Sequence, residues 1–579
     1  MKQTRVLRLS STLTAIALLA GFTACTDQIV AGERPNRPSA VASPESKETD
    51  PAKLAVSLTE LPGYQKPAST SEGFSRPMVG SVGGDVTWQV FDGENHPVSD
   101  PNSGETVAFG ASSTYSSVPG VLTFRGNHAR NAPTFGVANI REKKLEIAWT
   151  KDIGAVKAEG SYFPGAGWTG QPLLVQWPRQ SKEAMGFSEA QVNDDRFVEV
   201  LYPVFDGHVY RLSLADGTPT KEPINAVFGF KGTGTIDPRG YPLLYAGQGL
   251  HEANGETGPW RYRIFDLISN TEISHIPGAD PVAKRQDPAD WGAFDSSALV
   301  NAATDTLLEP GENGVVYKVK LNSSFDPKAK TVGVSPAVTK MVYGTPISRQ
   351  RGIESSAVAW RNLMFATDND GNLVCWDATT LNVVWARADG DSDNADGTMV
   401  LEETPEGPFL YTGNSVGWRG YDRANMVTNL RKVNALTGEV VWQFDVPAYF
   451  NWHVKGGLVS SPLLGKGSAS DLVVFNVAKT TAPSEGNLIA IDKKTGKVVW
   501  NRHLAKYSWS SPVSITSADG QQYGVYGDSA GILHLFDMAS GKDYSTVDLG
   551  GNIEASVAAF NDMLVVASYD KKIFGIRVS

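Results

Sequence analysis

The sequence predicts an all-β fold, an eight-bladed β-propeller of four-stranded antiparallel blades, on three observations. A module seen most clearly in GNLIAIDKKTGKVVW, Gly486 to Trp500, recurs along the chain beyond residue 144. Strands rich in small residues recur upstream of its copies. The last repeat is one strand short, and a strand that would complete it stands ahead of the first. Four antiparallel strands per repeat, at spacings of about 45–60 residues, are the signature of that architecture.

Each part of the module has a physical task. The alternation Leu488-Ile489-Ala490-Ile491 puts successive side chains on opposite faces, which suits a strand packed between two neighbouring sheets. Asp492 and Thr495 are placed to bond backbone groups of the turn, and Gly496 to take its positive-φ position. Trp500 offers a large apolar face to the adjacent blade and a ring N–H that needs a partner. Close copies are GNLVCWDATTLNVVW (Gly371 to Trp385), NLRKVNALTGEVVW (Asn429 to Trp442) and GILHLFDMASGK (Gly531 to Lys542). Weaker ones run from Gly207 to Pro219 and from Tyr262 to Ile273. Trp149, Trp385, Trp442 and Trp500, with Gly438 and Gly496, are therefore expected to dock blade to blade.

The small-residue strands ESSAVAW, VSSPLL, WSSPVSI and EASVAAF open the repeats and are expected to be innermost. Counting such openings places blades near Gln171, Tyr241, Ser296, Ser355, Gly397, Ser460, Ser510 and Ala555. The last shows only EASVAAF, MLVVASY and KIFGIRV. LEIAW, Leu145 to Trp149, carries a tryptophan where the module needs one. It is expected to pair with the C-terminal blade and close the ring, which removes exposed sheet edges.

Ahead of residue 145 the composition changes. Residues 1–24 read as a lipoprotein signal peptide: Lys2, Arg5 and Arg8 precede an apolar run to Phe22, and FTAC ends at Cys25, the expected lipidation site. Their removal, with three basic and no acidic residues, takes the net charge from −10 to −13. Residues 25–85, rich in Pro, Ser, Glu and Lys, are expected to be a flexible tether. Residues 86–144 form an N-terminal extension, with a strand at Val86 to Phe91 and a final segment GVLTFRGNHARNAPTFG, Gly120 to Gly136. Residues 145–579 are the propeller. With Cys25 acylated, Cys375 has no intramolecular disulfide partner and reads as a small buried hydrophobe. The negative charge and the lack of a long basic run argue against nucleic acid as a partner.

The pattern in IAIDKKTGKVVW, VNALTGEVVW and CWDATTLNVVW resembles the tryptophan-docking repeat of the pyrroloquinoline-quinone (PQQ)-like propellers. That superfamily includes quinoprotein alcohol dehydrogenases and a lipoprotein subunit of the outer-membrane barrel-assembly machinery. The segments TFRGNHARNAPTFG and GGNIEASVAAFNDMLVVASYDKKIFGI resemble a lipid-anchored or secreted bacterial subgroup of unassigned activity. The resemblance covers roughly residues 145–579 and implies the fold; the same propeller hosts enzymes and scaffolds. It also implies what an enzyme of this kind would carry. The adjacent cysteine pair of the dehydrogenases is absent here, as is the CxxCH of their haem-bearing relatives. Their calcium is held by acidic and amide side chains around the axis.

Alignment of the opening strands brings out a set of acids. The residue before the small pair is Asp295, Glu354, Asp396 and Glu554, with Val459 and Trp509 at equivalent positions. Innermost strands line a central channel, so these four carboxylates are expected at one channel mouth. Two readings follow: a site for a cation or a cationic ligand, or carboxylates that cap backbone amides or pair with Arg349 or Arg351. Other motifs are weaker. DGDSDNADG, Asp389 to Gly397, begins like a calcium loop but lacks Gly at its sixth position and Glu at its twelfth, so it reads as a solvated loop. GNSVG, Gly413 to Gly417, matches G-x-S-x-G without the strand-to-helix setting of a nucleophile elbow. Asn451-Trp452-His453 reads as a loop anchor, and no His or Cys spacing predicts zinc.

The expected function is that of a non-catalytic, lipid-anchored, extracytoplasmic propeller, monomeric and without a cofactor. It would serve as a binding or scaffolding platform for a protein partner or an envelope polymer. One alternative is a PQQ- and calcium-dependent quinoprotein-type oxidoreductase. The other is an outer-membrane barrel-assembly type lipoprotein.

Overall fold

The computed structural model describes residues 48–99, 105–167, 169–286, 288–390, 393–417, 426–450 and 455–579. Cys25 and the Asn451-Trp452-His453 motif lie outside the described residues. The fold is an all-β propeller. Among the described residues, eight sheets have four or more strands, and short hairpins account for the others. The fourth sheet sets the pattern: Val358–Trp360 innermost, then Leu363–Thr367, Leu373–Asp377 and Val383–Arg387. Its first three strands are wholly buried, because neighbouring sheets cover both faces. In the second sheet the innermost strand is Thr235–Ile236, and Tyr241 lies in the turn before Leu243–Gly247. This corrects the expected opening near Tyr241: small residues before Thr235 permit the close approach, and a Cβ on Gly232 would lie 2.3 Å from the Asp295 carbonyl oxygen.

Leu145–Asp152 pairs antiparallel with Lys572–Val578, Leu145 opposite Val578 and Lys572 opposite Asp152. A register shift interrupts this pair beside Gly575, and equivalent shifts follow Cys375, Lys432, Ala490 and Leu535 in other sheets. Such bulges increase local twist, and each sits where the outer strand presents its module residue to the next sheet.

There the tryptophans dock. Trp149 Nε1 donates to the Leu214 carbonyl at 2.8 Å, Trp385 to Ala435 at 3.1 Å, Trp442 to Lys493 at 3.0 Å and Trp500 to Met538 at 3.1 Å. Every acceptor belongs to the next sheet's outer turn. The glycine of that turn lies against the ring: a Cβ on Gly438 would meet Trp385 at 2.7 Å, and one on Gly496 would meet Trp442 at 2.7 Å. Gly217 and Gly541 play the same part for Trp149 and Trp500. All four glycines have φ between +70° and +73°, so shape and backbone both require glycine.

The described part of the expected tether is folded, which corrects the flexible segment drawn to residue 85. After a short helix, Pro51–Leu54, the strands Ala68–Thr70 and Gly73–Pro77 join Asp85–Phe91. Together they extend the third sheet outward from Ala337–Gly344, with Trp88 opposite Tyr343. Composition misjudged this segment because a strand added to an existing edge borrows its neighbour's core. Leu54, Leu61 and Arg76 are buried there.

The segment Gly120 to Gly136 fills the axis. Gly120–Val121 pairs with the innermost strand Leu173–Val175, and Thr134–Phe135 runs parallel to Ala559–Phe560. Between them the chain meets the other innermost strands in turn. Ile236 N–H donates to the Leu122 carbonyl, Ala359 N–H to His128 and Leu401 N–H to Ala129. Thr134 Oγ1 donates to the Ser514 carbonyl at 2.7 Å. Arg125 and Arg130 are fully buried. Arg125 donates to the carbonyls of Pro462 and Pro512, and Arg130 to those of Ala357 and Ser297. This plug explains the small residues of the opening strands. Only small side chains leave room for it, and their hydroxyls link the strands: Ser297 N–H donates to Ser356 Oγ, and Ser356 N–H to Thr398 Oγ1, each at 2.9 Å.

Candidate functional site

Above the plug, at the end where the innermost strands begin, the channel opens as a pocket of about 460 Å³. Asp295, Glu354 and Glu554 line it. Asp396 lies behind this wall: its carboxylate accepts from Ser415 at 2.6 Å and from Lys455 at 2.8 Å. The mouth therefore gathers three of the four predicted acids, with the fourth one step deeper.

Cations are interleaved with them. Lys455 also lies 3.6 Å from Glu354, and Lys231 3.8 Å from Asp295. Arg285 Nη1 donates to the Glu312 carbonyl at 2.5 Å. The expected pairing with Arg349 or Arg351 does not occur: the backbone N–H groups of both donate to Asp370, and the Arg351 guanidinium donates to the Tyr343 carbonyl. Those arginines follow the outer strand Ala337–Gly344, and the turn holding Asp370 captures them before they reach the mouth.

Glu312 was missed by sequence reading. It lines the pocket, and its carboxylate accepts from Trp291 Nε1 at 2.6 Å. Its position follows a rule that only the aligned turns display. The residue before the Asp/Asn of the second turn faces the mouth in several sheets: Phe205 before Asp206, Glu312 before Asn313 and Tyr569 before Asp570. Asn369, before Asp370, donates to Glu354 at 2.8 Å. Tyr569 donates to Glu554 at 2.6 Å, and Asn552 donates to its other oxygen at 2.9 Å. Trp509, aligned with the acids, stands on the rim and donates to the Lys455 carbonyl at 3.1 Å.

Burial and neighbouring charge divide these groups. Burial pushes Asp295 well above the usual carboxylate range, and the adjacent Glu312 adds to the shift. Burial and the charge of Glu354 raise Glu312 as well. Burial raises Asp396 to about 6 despite Lys455, and Glu554 to about 7 despite its two donors. Glu354 goes the other way: burial opposes its charge, but Lys455, Lys231 and Arg285 outweigh burial. Lys231 and Lys455 lose solvation yet are held above their ordinary value by the carboxylates around them.

The mouth does not fit the calcium that the quinoprotein resemblance implies. The Lys455 ammonium stands between Glu354 and Asp396, where a bridging ion would have to sit. Among the described residues, no three His, Cys, Asp or Glu side chains group in a way that would hold a metal. Outside the mouth, Asp389 of the DGDSDNADG loop is paired with Arg387 and Arg431 at 2.8 and 3.0 Å. Ser415 of GNSVG is buried in a two-residue strand and supports Asp396. Cys375 is buried, and burial pushes its thiol well up.

Residues 361–522 match the family model described as outer membrane protein assembly factor BamB. The tetrathionate hydrolase of Acidithiobacillus ferrooxidans is 21% identical over 310 residues, which are 48% of this chain and 55% of that protein. The chain thus spans about half the length of that curated relative. Among solved structures, BamB from Moraxella catarrhalis aligns with a TM-score of 0.45 at 17% identity, over 66% of this chain and 93% of that one. The computationally designed Ika8 protein aligns at 0.40 and 9% identity, over the same shares. Over residues 361–522 the chain carries PQQ-like propeller repeats similar to those of the BamB family.

Proposed function

We propose that this protein is a binding propeller of eight blades, anchored outside the cytoplasmic membrane by a lipid on Cys25. Its open channel mouth would receive a protein partner or an envelope polymer. The plug carries this reading. With Gly120 to Gly136 threaded through the innermost strands, the channel is a blind cup rather than a conduit. A cup with paired charges on its walls and aromatic residues at its rim suits recognition. The pairing of Leu145–Asp152 with Lys572–Val578 supports the eight-bladed ring. The match to the BamB model over residues 361–522 supports a scaffolding or assembly role.

A photoreactive residue at position 509, in the native envelope, tests the reading. A specific cross-linked species is expected from position 509 and not from position 441, on the exposed outer strand of the fifth sheet. Equal yields from both positions would exclude the mouth as the recognition face. Cys25→Ser is expected to release the protein from the membrane fraction, and retention there would exclude the anchor.

A further inference from the structure

Resting on the mouth as a recognition site, we propose that the cup binds an uncharged saccharide. Its charges close among themselves. The carboxyls of Asp295 and Glu312 hydrogen-bond to each other and share a proton, so the two carry one charge, with Lys231 3.8 Å from Asp295. Burial works against the charge of Glu354, and Lys455, Lys231 and Arg285 outweigh it. Behind the wall, Asp396 pairs with Lys455 at 2.8 Å. Three carboxylate charges thus meet the three cations Lys231, Arg285 and Lys455, and burial keeps Glu554 neutral up to about pH 7. An ionised ligand would bring a further charge into this wall with nothing to balance it.

The polar atoms left open include donors and acceptors together. Lys231 has no hydrogen-bond acceptor among the described residues, since 3.8 Å from Asp295 is too far. Glu354 Oε1 accepts from Asn369, but Oε2 has only Lys455, at 3.6 Å. The Tyr507 hydroxyl, on the same lining, has no partner among the described residues. A ligand hydroxyl donates and accepts at once, so a molecule rich in hydroxyls serves all three. The rest of the wall is aromatic, with Phe163, Trp291 and Tyr569 beside Tyr507 and Trp509. Tyr507 and Trp509 are half-buried on the rim, their ring centres 6.1 Å apart. A sugar ring presents C–H groups on its faces, and the electron-rich face of an aromatic ring attracts them. A peptide is the poorer occupant. The plug makes the cup blind, so it admits an end rather than a running chain, and a peptide end is ionised where a sugar end is not. A cavity of about 460 Å³ suits so compact a ligand.

Saturation-transfer difference NMR on the full chain with maltose, cellobiose and chitobiose, against cyclohexanol and glucuronate, tests this. At least one disaccharide is expected to receive saturation, strongest at its ring C–H protons, and the two controls are not. Titration of that disaccharide is expected to show binding weakened about tenfold or more in Trp509→Ala and about two- to tenfold in Tyr507→Phe. The exposed Glu439→Gln is the unchanged control. No saturation of any disaccharide, equal saturation of either control, or full affinity in both cup variants would overturn the proposal. Should the variants fail to fold, wild-type crystals soaked with the same disaccharides decide it. A sugar ring in the cup against Trp509 or Tyr507 supports the site, and density elsewhere or none overturns it. Cross-linking of position 509 to a protein, with no disaccharide bound, would remove this inference and leave the platform reading standing.

Discussion

At the residue scale, Glu554 shows how the mouth stores an electrostatic cost. Its folded pKa is raised to about 7 from the ordinary carboxyl value near 4.5, chiefly by burial. A carboxyl group raised in this way binds more protons in the folded state. Its favourable contribution is therefore complete below its unfolded value near 4.5 and is lost as pH rises through about 7. Glu554→Gln keeps an acceptor for Tyr569 and removes the charge. It is expected to be more stable than the parent at pH 8, by on the order of 2–3 kcal/mol. That difference should vanish at pH 4 when urea midpoints are compared; an equal or lower midpoint at pH 8 would contradict the assignment. Single positions were legible where alignment of the repeats exposed them, as with Asp295, Glu354 and Glu554. Lys231 and Lys455 were not, because they arrive from loops outside the repeated pattern.

At the element scale the plug is the decisive piece. Arg125 and Arg130 take positive φ, 55° and 57°, which lets the segment turn within the channel and aim both guanidinium groups at peptide carbonyls. Among the described residues no carboxylate balances Arg125 within hydrogen-bond distance; burial lowers it to about 9, and carbonyl dipoles hold its charge. Arg125→Met would leave the carbonyls of Arg130, Pro462 and Pro512 without that donor. A loss of roughly 3 kcal/mol or more is expected in urea unfolding, together with faster hydrogen exchange at Gly126 and Ala132. Unchanged exchange would mean that the plug is not held by this residue. The motif stood out in the sequence, but its place did not. Nothing local distinguishes an arginine that donates to the carbonyls of two distant segments from one on a surface loop.

At the scale of the whole molecule, the strands of the eighth sheet come from both ends of the propeller segment. A chain beginning at Pro119 keeps the plug and Leu145–Asp152, and loses the strands added outside the third sheet, the short helix Pro51–Leu54 and the buried side chains of Val107, Phe109, Tyr115 and Val118. It is expected to stay folded and to elute in size-exclusion chromatography as the full chain does, allowing for its mass, with a lower melting temperature. A chain beginning at Ile153 exposes the edge of Lys572–Val578 and is expected to associate or unfold. Equal behaviour of the two would show that neither the plug nor this pairing carries the fold.

The sequence by itself determined the repeat and its chemistry. The alternating strands, the tryptophan that docks, the glycine beneath it and the small innermost residues all follow from local geometry, because each repeat must present the same faces to its neighbours. Only the tertiary structure decided what lies on the axis. The plug, the paired lysines and the close approach of Asp295 and Glu312 depend on which residues from distant repeats meet there. That convergence is set by packing around the channel, and no single repeat encodes it.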